Sequence, residues 1–377
     1  MDKTNPFKND IVVAGQICLD IILMFADNIT DLASAVVPGK CVVAENATIS
    51  TGGSVANTGL ALHQLGIPTR LIAKIGADAF GKSIRQLLEE KGEGLTDIMI
   101  EKEGEITAYS IVLIPKNTDR SFLYVPGANN TFQSDDIADD HLQGTRIFHF
   151  GYPPEMKLIY AKQGKEFIRL MRRIKNKGVT TSLDMAFPDV NGEPGKINWF
   201  NWLQGSLPFI DVFLPSFDEL FFMLEPQKYQ EKSPIDADLL RNLANQVLEM
   251  GVAMVMIKLG EHGIYFQSTD DHSRLDKMGA GKPSNPAKWL NQTIWVPSFQ
   301  VDVIGTTGAG DCAVAGFLAG LFKGLDPDEA LTMASAIGAY STECADAASG
   351  VPHWDKVKNR VDQGWATLHE HRIGSHL

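Results

Sequence analysis

At 377 residues, with 44% apolar and 21% charged side chains, the chain has enough material for one large α/β domain with an appendage, or for two domains, around a sizeable core. Its formal net charge of −12 argues against a nucleic-acid or acidic-membrane partner, since both need a basic face, but leaves room for an anionic small molecule held by local backbone N–H groups. No segment reaches about 18 uninterrupted apolar residues, so no membrane span is expected.

Met1 to Phe25 carries lysines ahead of an apolar stretch, yet Asp20 interrupts that stretch and no small-x-small cleavage site follows, which suits a cytoplasmic protein. Ile11 to Gly15 reads as a short strand, and so do Leu71 to Gly76, Ile147 to Gly151, Val179 to Asp184, Val212 to Pro215 and Val252 to Lys258. Between them lie helix-length segments at Ser54 to Leu65, Gly81 to Lys91, Tyr160 to Asn176 and Ala237 to Met250. Alternation of this kind predicts a mostly parallel sheet with helices on both faces, with ligands at the carboxyl ends of the strands, where Gly15, Gly76, Gly151, Asp184, Pro215 and Lys258 stand.

Asp20 to Ile49 lacks helical periodicity, and Thr107 to Val125 reads as a hairpin turning at Pro115 to Asp119. Together, parts of 17–50 and 105–126 form a small β appendage able to act as a lid over the ligand edge. Two polar stretches, 188–206 and 268–292, read as surface insertions. Cys18, Cys41, Cys312 and Cys344 are far apart without Cys-x-x-Cys spacing, so neither a zinc site nor a disulfide framework is expected. His149, between two phenylalanines on a strand, reads as structural.

The segment that carries chemistry is Thr306-Thr307-Gly308-Ala309-Gly310-Asp311, followed by a small-residue apolar run from Cys312 to Leu321. Two glycines at a helix start expose successive N–H groups to an anion, and the helix dipole adds to the attraction. Asp311 falls in the first turn, where a base is needed if a hydroxyl attacks a phosphoryl group. Alternatively it caps the helix and the glycines only make a loop.

This segment, together with Gly52-Gly53-Ser54-Val55-Ala56-Asn57 at an earlier helix entry, resembles the D-T-T-G-A-G-D and G-G-x-x-x-N signatures of the ribokinase-like (PfkB) carbohydrate kinases. The resemblance runs from about Ile11 to Pro352. It implies a single three-layer α/β/α domain over 1–377 with a β lid, and ATP-dependent phosphorylation of a sugar hydroxyl with Mg²⁺. Asp311 would be the base and the Gly308, Ala309 and Gly310 backbone the anion hole. Asp20, Gly52, Gly53 and Asn57 would hold the sugar, with Asp20 suited to a vicinal diol. Lys258-Leu259-Gly260-Glu261-His262-Gly263 is similar to the family's K-x-G-x-x-G, implying that Lys258, Gly260 and Gly263 meet the nucleotide. Leu214 to Glu219 is similar to its N-x-x-E element, implying that Glu219 organises Mg²⁺ through water and that Ser216, in place of asparagine, meets phosphate.

Asp184, followed by Ala186 where relatives carry asparagine, either joins the metal shell or ends its strand. Gly305 replaces the first aspartate of the signature, which removes a carboxylate that accompanies potassium in some members. Ser54 stands where ribokinases carry lysine, so ribose is not the implied sugar. The alternatives are a nucleoside kinase and a sugar- or nucleotide-binding regulator without turnover. A dinucleotide-dependent dehydrogenase is opposed by the lack of Gly-x-Gly-x-x-Gly after the first strand. Pairing of lids into a homodimer is also implied.

Overall fold

The structure, a computed structural model, describes residues 10–115, 120–231, 235–344 and 346–368. Eight strands form the main sheet. In chain order they are β1 (Asp10–Gly15), β4 (Thr69–Ile72), β9 (Thr145–Gly151), β10 (Thr180–Asp184), β11 (Val212–Phe213), β12 (Met254–Lys258), β13 (Ile264–Ser268) and β14 (Thr293–Val296). They lie side by side in the order β14-β13-β12-β11-β10-β9-β1-β4, six of them mutually parallel and β13 reversed between β12 and the edge strand β14. The remaining strands are β2 (Cys18–Phe25), β3 (Ala44–Gly52), β5 (Lys74–Gly76), β6 (Ile100–Lys102), β7 (Tyr109–Ile114) and β8 (Ser121–Val125).

Side chains alternate across the main sheet and feed two cores. Ile11 and Val13 of β1 point into one, beneath the helices Ser54–Gln64, Ala309–Lys323 and Pro327–Thr342. Val12 and Ala14 point into the other, beneath the helices Lys157–Asn176, Phe217–Leu224 and Ala237–Glu249. The result is the three-layer α/β/α arrangement expected from the alternating pattern. Among the described residues no helix is long and apolar enough to cross a membrane.

A second sheet, ordered β3-β2-β7-β8, grows from the end of β1. The stretch 20–49 supplies two of its strands, and the expected hairpin supplies the other two; positions 116–119 of its turn lie outside the described residues. Its register aligns Ser50, Asp20, Ser110 and Tyr124 as one row across the four strands. Ile49, Ile21, Ile111 and Leu123 form the next row, on the opposite face. This register also separates Tyr109, Ile111 and Leu113 from Phe122 and Tyr124, which lie on the other side of the hairpin.

Three sequence expectations need correction. The run Leu71 to Gly76 is not one strand: it breaks at Ala73, and β5 leaves the main sheet to pair with β6, which takes Gly76 away from the ligand edge. The stretch 188–206 ends in a helix, Trp199–Ser206, whose Trp199 and Trp202 are buried in the second core, so only its first half is a surface segment. In 268–292, Leu275, Met278 and Trp289 are buried in the first core although the stretch is polar overall. Both stretches hide a few large apolar anchors among many polar residues, and composition averages them away.

Candidate active site

Because six strands run parallel, Gly15, Gly151, Asp184, Pro215 and Lys258 reach the same edge of the sheet, as the alternation predicted. A cleft of about 630 Å³ opens there, lined among others by Tyr152, Ser216, Glu219, Lys258, Gly308 and Asp311. Gly308 caps the helix Ala309–Lys323 at φ 75°, a left-handed conformation that a side chain would strain, and no side chain caps the first turn. At this helix start the Ala309 N–H donates to Thr306 O at 3.3 Å, and Gly308, Ala309 and Gly310 line the cleft.

Asp311 is buried in this first turn. Its Oδ2 accepts from Asn57 Nδ2 at 2.9 Å and from the Tyr152 hydroxyl at 2.8 Å, while Oδ1 receives the Thr58 hydroxyl at 3.4 Å. Burial raises the Asp311 carboxyl above its usual range, against the pull of these donors and of Lys258. Asn57, expected against substrate, here orients Asp311.

Lys258 Nζ donates to both oxygens of Asp184, at 2.6 and 2.8 Å. Burial works against the lysine's charge, but the Asp184 and Glu219 carboxylates hold its pKa above the ordinary value. Burial raises the Asp184 and Glu219 carboxyls in turn, with Lys258 opposing. The ammonium also flanks the Gly308–Asp311 turn, since a methyl group built on Gly310 would lie 3.6 Å from Nζ. Lys258 thus lies between Asp184 and the start of the helix Ala309–Lys323. Ser216 begins the helix Phe217–Leu224 in a capping box, its N–H donating to Glu219 Oε2 at 2.7 Å and its Oγ accepting from the Glu219 N–H at 3.4 Å. The Ser216 hydroxyl thus caps the helix as an acceptor, and Ser216, Gly260 and Gly263 all line the cleft.

On the second sheet, Asp20 lies so close to Gly52 that a Cβ there would meet Asp20 Oδ2 at 2.2 Å, which explains the glycine. Cys18 Sγ lies 3.3 Å from Asp20 Oδ1, and burial raises the Asp20 carboxyl. Tyr124 joins the same row, its hydroxyl accepting from Gln16 Nε2 at 3.2 Å and Asn129 Nδ2 at 2.9 Å. Gly53 turns the chain between this row and the helix Ser54–Gln64, at φ 88°.

Three side chains of the site carry no signal in sequence. Tyr152 adopts φ 62°, rare for a bulky residue, immediately before Pro153 and Pro154, and this turn delivers its hydroxyl to Asp311. Glu155, three residues on, lies within electrostatic range of both Asp20 and Asp311; burial, then those two charges, push it up to about 7. Arg120, just before β8, donates to the Thr307 hydroxyl beside Gly308 and so joins the second sheet to the first. His149 is buried against Ser182 Oγ at 3.0 Å and burial lowers it to about 3, consistent with a neutral structural role.

Residues 8–354 match the pfkB family of carbohydrate kinases. An uncharacterized sugar kinase of Archaeoglobus fulgidus is 26% identical over 293 residues, covering 78% of this chain and 98% of that protein. A ribokinase of Haemophilus influenzae is 24% identical over 328 residues, covering 87% and 92%. The solved structure of Arabidopsis thaliana ribokinase complexed with ribose and ATP matches with a TM-score of 0.71 at 22% identity, over 93% of this chain and 98% of that one, which shows a common fold. With the family match spanning both the Thr306–Asp311 segment and the paired glycines that precede Asn57, the chain belongs to the pfkB family of carbohydrate kinases.

Proposed function

We propose that the protein transfers the terminal phosphoryl group of ATP to a hydroxyl of an uncharged sugar. The observation that carries this reading is Asp311, a buried carboxylate in the first turn of a helix that no side chain caps, held by Asn57 and Tyr152 beside the Gly308–Gly310 turn. The sugar oxygen attacks the terminal phosphorus while its proton passes to Asp311, and the bond from that phosphorus to the bridging oxygen breaks, releasing ADP. N–H groups of the Gly308–Gly310 turn, with Lys258 and Arg120 beside it, stabilise charge on the transferring group.

Asp20 accepts from two neighbouring sugar hydroxyls. The groups around it are acceptors and neutral donors: Cys18, Ser110, Tyr124, Gln16, Asn129 and Glu155. That set suits a polyhydroxy compound and opposes a sugar acid or sugar phosphate. The second sheet acts as a lid, with the Arg120 contact to Thr307 as its latch, and excludes water that would otherwise take the phosphoryl group.

ATP calls for Mg²⁺, and the residues fit it. Among the described residues no group of three His, Cys, Asp or Glu is arranged to hold a metal, so a dedicated cage is lacking. Mg²⁺ needs none, because it retains waters and rides on phosphates, with Glu219 and Asp184 able to hold its water shell. When bound it neutralises phosphate charge. The test is ADP release with Mg²⁺ over a panel of neutral sugars, sugar acids, sugar phosphates and nucleosides. Turnover with a neutral sugar is expected; turnover confined to nucleosides or acidic sugars would contradict the reading.

A further inference from the structure

The family match ends at residue 354, yet the chain beyond it returns to the cleft. After the helix Trp354–Asp362, residues 365–368 run antiparallel to 298–300. Gln300 N–H donates to Ala366 O at 2.8 Å, Leu368 N–H donates to Ser298 O at 2.8 Å, and Phe299 faces Thr367. Trp365 fastens this strap. Its ring lies 4.7 Å from that of Phe299 and 4.8 Å from that of Tyr340, the Arg360 guanidinium stacks on it at 3.6 Å, and its Nε1 donates to Gln300 O at 2.8 Å.

The strap ends at the cleft wall. Leu368 lines the cleft with Ile264, Phe299, Val301 and Ala339, and is still 39% exposed. Its partner Ser298 in turn donates its hydroxyl to Gly260 O at 2.9 Å, in the Lys258–Gly263 loop. Ser298 and Gly260 therefore tie the strap to the cleft wall, whose lining includes the apolar Ile264, Phe299, Val301 and Ala339. A flat heteroaromatic ring suits such a surface better than phosphate or sugar hydroxyls do.

We propose that the segment Trp365–Leu368 is a specificity-determining wall of the nucleotide site, with Leu368 packing against the purine ring of ATP and ADP. This rests on reading the cleft as the nucleotide site. Trp365 positions the strap, and Leu368 makes the contact.

Calorimetric titration of the full-length protein with ADP and Mg²⁺ tests it, with Leu368→Ala, Leu368→Asp and Leu368→Met as variants. Truncation to alanine should weaken ADP about three- to tenfold through lost apolar contact. Aspartate should weaken it further, and methionine should stay within about twofold, since it keeps the contact. The melting temperature without ligand should be unchanged in all three. Unaltered ADP affinity in both the alanine and aspartate variants would overturn the proposal, as would an equal loss in the methionine variant. A wild-type protein that binds no ADP at all would overturn the nucleotide reading itself, which is a different result from wild-type binding that Leu368 does not affect.

Discussion

Asp311 and Asp20 are both carboxylates raised by burial, yet their surroundings differ. Asp311 is clamped by Asn57 and Tyr152, which fixes its direction beside the Gly308–Gly310 turn. Asp20 stands on an open row with Ser110 and Tyr124, where hydroxyl donors can reach it. Replacing Asp20 with alanine should therefore weaken sugar binding by about 1.5–3 kcal/mol for each charge-assisted bond lost, and leave ADP binding unchanged by calorimetry. Glu155 adds a pH dependence. With its folded value pushed up to about 7, its protonated form favours the folded state. That stability is fully present below the ordinary glutamate range and is lost as pH rises through about 7. Glu155→Gln removes the charge that forms at high pH, so its melting temperature should exceed that of the wild type at pH 8 and approach it at pH 5. Equal offsets at both pH values would mean that Glu155 does not titrate in this window.

At the scale of elements, the helix Phe217–Leu224 and the lid sheet each support a function through local geometry. The capping box ties Ser216 to Glu219 and so fixes a carboxylate of the site by helix chemistry. Ser216→Ala should lower stability by about 0.5–2 kcal/mol in denaturant unfolding, the usual cost of losing such a cap. A loss within error would mean that Glu219 is held by other contacts. The second sheet has one row that carries Asp20 and one apolar row, Ile49, Ile21, Ile111 and Leu123, with Ile49 53% and Leu123 58% exposed. Covering it favours a second copy of the chain. Sedimentation at micromolar concentration should give a dimer for the wild type and a monomer for Leu123→Lys; a wild-type monomer with and without sugar would remove the lid contact from the account.

Across the whole molecule, the frame was legible because its signals are local. Glycines at strand ends, apolar runs and the Gly308–Asp311 turn each encode a backbone event within a few residues, so the parallel sheet and the helix start at Gly308 could be read directly. What escaped is made by tertiary meeting. Tyr152, Glu155 and Arg120 are single residues without spacing signals, and they reach Asp311, Asp20 and Thr307 only through the fold. The lid's faces depended on strand register, which a hairpin sequence alone left open. Trp199, Trp202 and Trp289 were hidden by polar neighbours. All of these parts converge on one claim, that Asp311 takes the proton from the attacking hydroxyl. The most direct test is the steady-state rate of ADP formation by Asp311→Asn with the preferred sugar, alongside its affinity for ADP. The account predicts a fall in kcat of about 10²- to 10⁴-fold with ADP binding retained; a near-normal kcat would contradict it.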